Sequence, residues 1–194
     1  MRVVVMHALG DFRVQEREEP KILKPTDAII RVSATCECGS DRWPYRGAEP
    51  IDVPSQIGHE YMGFVEEVGI GVTTVTPGRF VVGAFSTSDN TSVNCRAGYQ
   101  TSCVQREWVN ARGAQAERLR IPLADGTLVA TPGMPDEDLI PSLLTASDTW
   151  APDGSRPRPP GPDRARRSPL SVTERSGCWV CSRPSNSVPS ASPP

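Results

Sequence analysis

Gly58-His59-Glu60-Tyr61-Met62-Gly63-Phe64-Val65-Glu66-Glu67-Val68-Gly69 is the stretch on which the fold of this chain turns. Apolar and β-branched residues fill 61–68, which predicts a strand, and glycines frame it at 58 and 69. His59 follows a glycine directly and so stands at a turn, with the Glu60 carboxylate beside it. About twenty residues upstream, Cys38-Gly39-Ser40-Asp41 places a cysteine at a second turn. A thiolate and an imidazole are borderline-soft ligands suited to zinc, and an adjacent carboxylate offers an outer or exchangeable ligand. On spacing alone, a buried cysteine and a turn histidine account for the pair equally well.

Outward from this word the first 120 residues read as β-rich. Residues 2–8 are a β-branched run, and 12–18 alternate after the turn Gly10-Asp11. Residues 28–32, 79–85 and 114–121 are further strand candidates, separated by Pro77-Gly78 and other Gly, Ser, Asp and Asn breaks. Short strands at this spacing predict a barrel or sandwich. Residues 135–147 are the helix candidate: Asp136, Glu137 and Asp138 favour an N-terminus, and Leu139, Ile140, Leu143 and Leu144 fall at helical spacing.

Composition divides the chain. Of 194 residues, 37% are hydrophobic and 23% charged, with a net charge of −2. Residues 151–194 hold 10 of the 20 prolines and seven arginines against three acids, so that piece is basic and the first 150 residues are acidic. The front is a globular candidate and the back has a disorder-type composition. No apolar run approaches the ~18 residues of a membrane helix. The near-neutral balance gives no basic footprint for nucleic acid. The start has too short an apolar core for a signal peptide. Six cysteines are too sparse for a secreted disulfide scaffold, so a cytoplasmic location is expected.

Together with Gly71-Val72, Pro77-Gly78 and Gly113-Ala114-Gln115-Ala116-Glu117, the two words above closely resemble the zinc-dependent alcohol dehydrogenases of the medium-chain dehydrogenase/reductase family. The likeness covers roughly residues 1–150. It implies a mainly β fold, a GroES-like partly open β-barrel with few short helices. Family members join this domain to a Rossmann domain that binds NAD or NADP. It implies that Cys38 and His59 are ligands of a catalytic zinc, and that Asp148, in Leu144-Thr145-Ala146-Ser147-Asp148, is the third. Glu60 matches an acid that can approach the metal, and Ser40 the hydroxyl that relays the substrate proton. Trp43 and Tyr45 are pocket candidates, although ordinary packing explains them equally well. The implied reaction takes a hydride from a small alcohol to the nicotinamide, with zinc as Lewis acid. Family members are usually homo-oligomers, the resemblance leaves this chain's own state open, and neither a nucleic-acid nor a membrane partner is expected.

The family often holds a second, structural zinc with four cysteines spaced C-x2-C-x2-C-x7-C. Here Cys95 and Cys103 keep the last spacing, and the two earlier positions are Asp89 and Ser92. Aspartate can ligate zinc but a neutral serine hydroxyl is a poor ligand, which favours two unligated lobe cysteines over a bound structural zinc. Pro77-Gly78-Arg79 also departs from the family, which commonly has aspartate after the glycine. His7, in the first strand, reads as an ordinary packed or exposed side chain.

After Asp148 the expected Rossmann half is absent, so residues 1–150 are read as an incomplete catalytic domain and 151–194 as a disordered tail. Nineteen arginines against two lysines point to GC-rich coding DNA. Taking the last base of each codon with the first two of the next, residues 171–180 can spell Gly-Asp-Gly-Ala-Val-Gly-Leu-Leu-Gly, which contains the G-x-G-x-x-G dinucleotide fingerprint. The tail is therefore read as frame-shifted, and Cys178-Trp179-Val180-Cys181 as no redox or zinc pair. Hydride transfer by this chain alone is not expected, and poor solubility is. Two other readings compete: a non-catalytic GroES-like binding module, and a zinc-free quinone oxidoreductase relative, against which Cys38 and His59 argue.

Overall fold

The structure is a computed structural model that describes residues 1–107 and 113–148. The tail, its shifted frame and Cys178 and Cys181 lie outside the described residues. In chain order the elements are β1 (Arg2–Ala8), β2 (Asp11–Glu16), β3 (Ala28–Cys36), a 3-10 turn (Gly39–Asp41) running into α1 (Arg42–Tyr45), β4 (Ser55–Gln56), β5 (Glu60–Val68) and β6 (Phe80–Gly83). Then come α2 (Val93–Arg96), a 3-10 turn (Gln100–Ser102), β7 (Arg118–Ile121), α3 (Ala124–Thr127), β8 (Leu128–Ala130), a 3-10 turn (Glu137–Leu139) and α4 (Ile140–Thr145).

The strands form two antiparallel sheets, ordered β2-β1-β4 and β7-β3-β5-β6-β8, that do not close into one barrel. The mainly β, partly open architecture is as expected. Residues 114–117 join the sheets instead of extending β7 back to 114. Val4 N–H donates to Gln115 O (2.9 Å), Glu117 N–H to Arg2 O (3.1 Å), and Val32 N–H to Glu117 O (2.9 Å).

β2 ends at Glu16 rather than 18 and β6 is only Phe80–Gly83 rather than 79–85, and two further boundaries moved for identifiable reasons. β3 runs four residues past the predicted end at 32, because a bulge between Val32 and Ala34 inserts Ser33 opposite Gly63 and breaks the alternation that sequence reading follows. The helix predicted over 135–147 begins only at Ile140, since Pro141 has no N–H to give and belongs in a first turn; the acids upstream lie in a 3-10 turn. The two-residue β4, three-residue β8 and four-residue helices are too short to leave a periodicity.

Successive residues of β5 point to opposite faces of the larger sheet. Tyr61 and Val65 join Ile30, Val81, Leu119 and Ile121 in one apolar cluster. Met62 packs with Ala34, Cys36, Phe80 and Leu144 in a second, beneath α4. Ile30 lies in the first cluster and Ala34 and Cys36 in the second, although all three are even-numbered. The extra Ser33 exchanges the faces, as one inserted residue must.

Candidate metal centre

Cys38 sits just past the end of β3. Its backbone N–H donates to Asp41 Oδ2 (2.9 Å) and its carbonyl accepts from Asp41 N–H (3.1 Å), so one reciprocal turn fixes both residues. His59 enters from Gly58, whose φ of +86° disfavours any side chain; a Cβ there would also meet Gln115 Cγ at 2.7 Å. The backbone on either side of that glycine is clamped by Ala114 N–H on Gly58 O (3.0 Å) and Gln115 N–H on Ile57 O (3.1 Å).

Both imidazole nitrogens of His59 face carboxylates. Nδ1 lies 3.3 Å from Asp41 Oδ1 and Nε2 3.2 Å from Asp148 Oδ2. Burial alone would pull the imidazolium pKa down, but its hydrogen bonds to Asp148, Asp41 and Cys38 outweigh that and push it up to about 12. Asp148 shifts the opposite way: its hydrogen bond to His59 holds its carboxyl below the usual range, against the desolvation that raises it. Burial pushes the Glu60 carboxyl up; a hydrogen bond from Cys36 opposes the rise and the Asp148 charge adds to it.

The ligating atoms of Cys38, His59, Glu60 and Asp148 all lie within 4.8 Å of one another. Residues 38, 59–60 and 148 thus converge from three separate segments. Ser40 is half-buried on the 3-10 turn between Cys38 and Asp41. Of the two pocket candidates, Tyr45 packs on Phe12 of the β1–β2 hairpin (ring centroids 4.9 Å apart) and Trp43 is largely exposed. A cavity of about 530 Å³ between β1 and β3, lined by Val3, Val14, Val32 and Ala34 among others, does not include the cluster. His7 is half-buried against Gln15.

The lobe residues also meet. Asp89, Cys95 and Cys103 place their donor atoms within 4.8 Å of one another. Ser92 Oγ donates to Cys95 Sγ (3.1 Å) and Cys103 Sγ (3.7 Å), and the two buried thiols form no disulfide. Backbone donation from Ser92 depresses the Asp89 carboxyl strongly.

Three residues of the neighbourhood have roles that the motifs do not assign. Asp41 orients His59; its position within Cys38-Gly39-Ser40-Asp41 was a usable signal, since an acid three residues on closes a capping turn. Ser147 anchors the segment that delivers Asp148, and Cys36 contacts Glu60 across the sheet. Nothing in the local sequence distinguishes those two.

The two sheets thus carry a Cys, His and carboxylate cluster just past the ends of β3 and α4 and just before β5. The chain belongs to the family described as alcohol dehydrogenase GroES-like domain, which matches residues 24–133, more than half its length. It is 40% identical to a zinc-type alcohol dehydrogenase B of Aspergillus flavus, over 72% of this chain and 34% of that protein. To a medium chain reductase/dehydrogenase of an Acremonium species it is 39% identical, over 72% of this chain and 50% of the relative. Among solved structures, the alcohol dehydrogenase TADH from Thermus sp. ATN1 superposes with a TM-score of 0.71 at 32% identity, covering 78% of this chain and 45% of that one. The chain thus spans a third to a half of the length of these proteins. Its curated relatives are oxidoreductases of the zinc-type alcohol dehydrogenase and medium-chain dehydrogenase kinds.

Proposed function

We propose that residues 1–150 are the catalytic domain of a zinc-dependent alcohol dehydrogenase, with Cys38, His59 and Asp148 as the protein ligands of a catalytic zinc. The observation that carries the reading is the convergence of these donors, with Glu60, within 4.8 Å of one another. One thiol, one imidazole and a carboxylate suit zinc in hardness and in number, because three protein ligands leave a position for substrate. Bound there, zinc would supply a Lewis acid that makes an alcohol easier to deprotonate.

The chain's own residues divide the remaining work. Asp41 fixes the ring orientation of His59 and makes it a stronger donor. Ser40, one turn from Cys38, carries the substrate proton outward. Glu60 is a carboxylate in reserve beside the ligands. The substrate is a small alcohol or its carbonyl counterpart, and the hydride goes to NAD or NADP. None of the described residues is assigned to that cofactor. Cys95 and Cys103 in their lobe are a structural-zinc vestige.

Metal analysis of the purified chain tests this. About one tightly bound zinc is expected, lost in Cys38→Ser and retained in Cys95→Ser/Cys103→Ser. Equal zinc in the wild type and Cys38→Ser overturns the assignment and favours a non-catalytic binding module.

A further inference from the structure

Cys36 and Glu60 are register partners across β3 and β5, so their side chains leave the sheet on the same face. The bulge at Ser33 puts Cys36 on that face; with strict alternation it would point into the other apolar cluster. Both residues are buried, at 3% and 2% exposure. Cys36 Sγ donates to Glu60 Oε2, and Thr35 Oγ1 donates to Glu60 O (2.8 Å), so β3 grips Glu60 by its side chain and its backbone. The same Glu60 carboxylate belongs to the cluster with Cys38, His59 and Asp148.

We propose that Cys36 is a positioning residue whose thiol ties the Glu60 carboxylate back, so that it does not fill the coordination position left open by Cys38, His59 and Asp148. The proposal rests on the zinc assignment above. A buried carboxylate seeks a donor or a cation. Beside a divalent ion, Glu60 can turn to the ion, which a substrate must also reach, or to a donor of the protein. Cys36 is that donor, held in place by cross-strand register and by packing against Ala34, Met62 and Leu144. Remove the S–H, and the carboxylate is free to turn to the metal. The site then closes with four protein ligands, the arrangement of structural zinc rather than catalytic zinc. Cys36 itself need not touch the metal.

The full 194-residue chain loaded with Co2+ tests the proposal through its visible spectrum, with imidazole as the probe of an open position. Wild type is expected to bind cobalt and to shift its spectrum on adding imidazole. Cys36→Ser keeps a donor and is expected to behave like wild type. Cys36→Ala and Cys36→Val are expected to bind cobalt but to respond to imidazole about tenfold more weakly or not at all, the size usual for an outer partner of a metal ligand. Cys36→Ala/Glu60→Gln should regain the response, because a neutral amide competes poorly for the ion; a merely misfolded variant would not be rescued. An unchanged imidazole response in Cys36→Ala overturns the proposal. So does failure of the double variant to recover, or loss of sulfur-to-cobalt absorption in Cys36→Ser, which would make Cys36 a ligand. A wild-type chain that takes up no cobalt overturns the zinc assignment itself, and this inference with it.

Discussion

Ser147 donates its hydroxyl to the Gly83 carbonyl at 2.6 Å. The same oxygen accepts the Tyr61 backbone N–H (3.1 Å), and the Ser147 carbonyl accepts from Phe85 N–H (3.1 Å). One fully buried side chain thereby fastens the segment after α4 to β5 and β6, and Asp148 arrives beside His59 as a result. Ser147→Ala should remove both of these buried hydrogen bonds and cost about 2 kcal/mol of stability. Zinc affinity should fall with it, by about tenfold, because the third ligand is no longer delivered in register. Urea unfolding and chelator competition measure the two effects. An unchanged zinc affinity would mean that Asp148 does not bind the metal.

Asp41 has two tasks that a single substitution separates. Asp41→Asn retains an oxygen able to accept the Cys38 N–H, but the negative charge facing His59 Nδ1 is gone. Zinc affinity should drop by about tenfold, and the metal-free fold should lose stability at neutral pH because the Asp41 pairing that helps raise the His59 pKa is gone. A chelator titration that superposes on wild type would assign Asp41 to the turn alone.

Zinc uptake should be strongly pH-dependent. The raised pKa of His59, about 12, means that the metal-free ring is protonated throughout the neutral range, and a metal ligand must be neutral. Binding therefore expels a proton, and affinity rises with pH. From this residue alone the gain is about tenfold per pH unit, continuing well above the 6.5 at which a free imidazole would level off. Competition against a chelator at pH 6.5 and 8.5, corrected for the chelator's own protons, should show about a hundredfold difference. A plateau between those values would refute it.

Away from the metal, Asp125 on α3 accepts from the N–H and hydroxyl of Thr73 and of Thr74, at 2.8–3.1 Å. Burial tends to raise its carboxyl pKa, but these donors outweigh it and the net shift is downward from 3.8. A depressed carboxylate stabilises the fold above its unfolded pKa and loses that contribution as the pH falls through the native value. Asp125→Asn, which keeps one accepting oxygen at a largely solvent-screened position, should cost about 0.5–1 kcal/mol at pH 7. The gap should narrow below about pH 4 as the wild-type carboxylate protonates. Urea midpoints of both proteins across this range check the sign; a gap that widens in acid would contradict it.

The strand at 60–68 was readable because β-branched and apolar residues between framing glycines leave few alternatives, and β1 because its run is uninterrupted. Cys38, His59 and Glu60 stood out because their residue types are chemically distinctive and flanked by glycines. Where the reading stopped short, a non-local interaction made the choice. β3 was cut short because its bulge is specified by the partner strand, and residues 114–117 looked like strand because they bridge two sheets rather than lie in one. Asp41, Ser147 and Cys36 matter through the atoms they meet, and those atoms lie on other segments.

By itself the sequence determined the long strands and the chemical inventory: hydrophobic alternation and turn residues select strands locally, and thiol, imidazole and carboxylate carry their ligating character wherever they are. Only the tertiary structure decided which of these groups share a site. Cys38 and Asp148 are 110 positions apart, and chain separation carries no distance until sheet register, one inserted serine and one buried hydroxyl have fixed it.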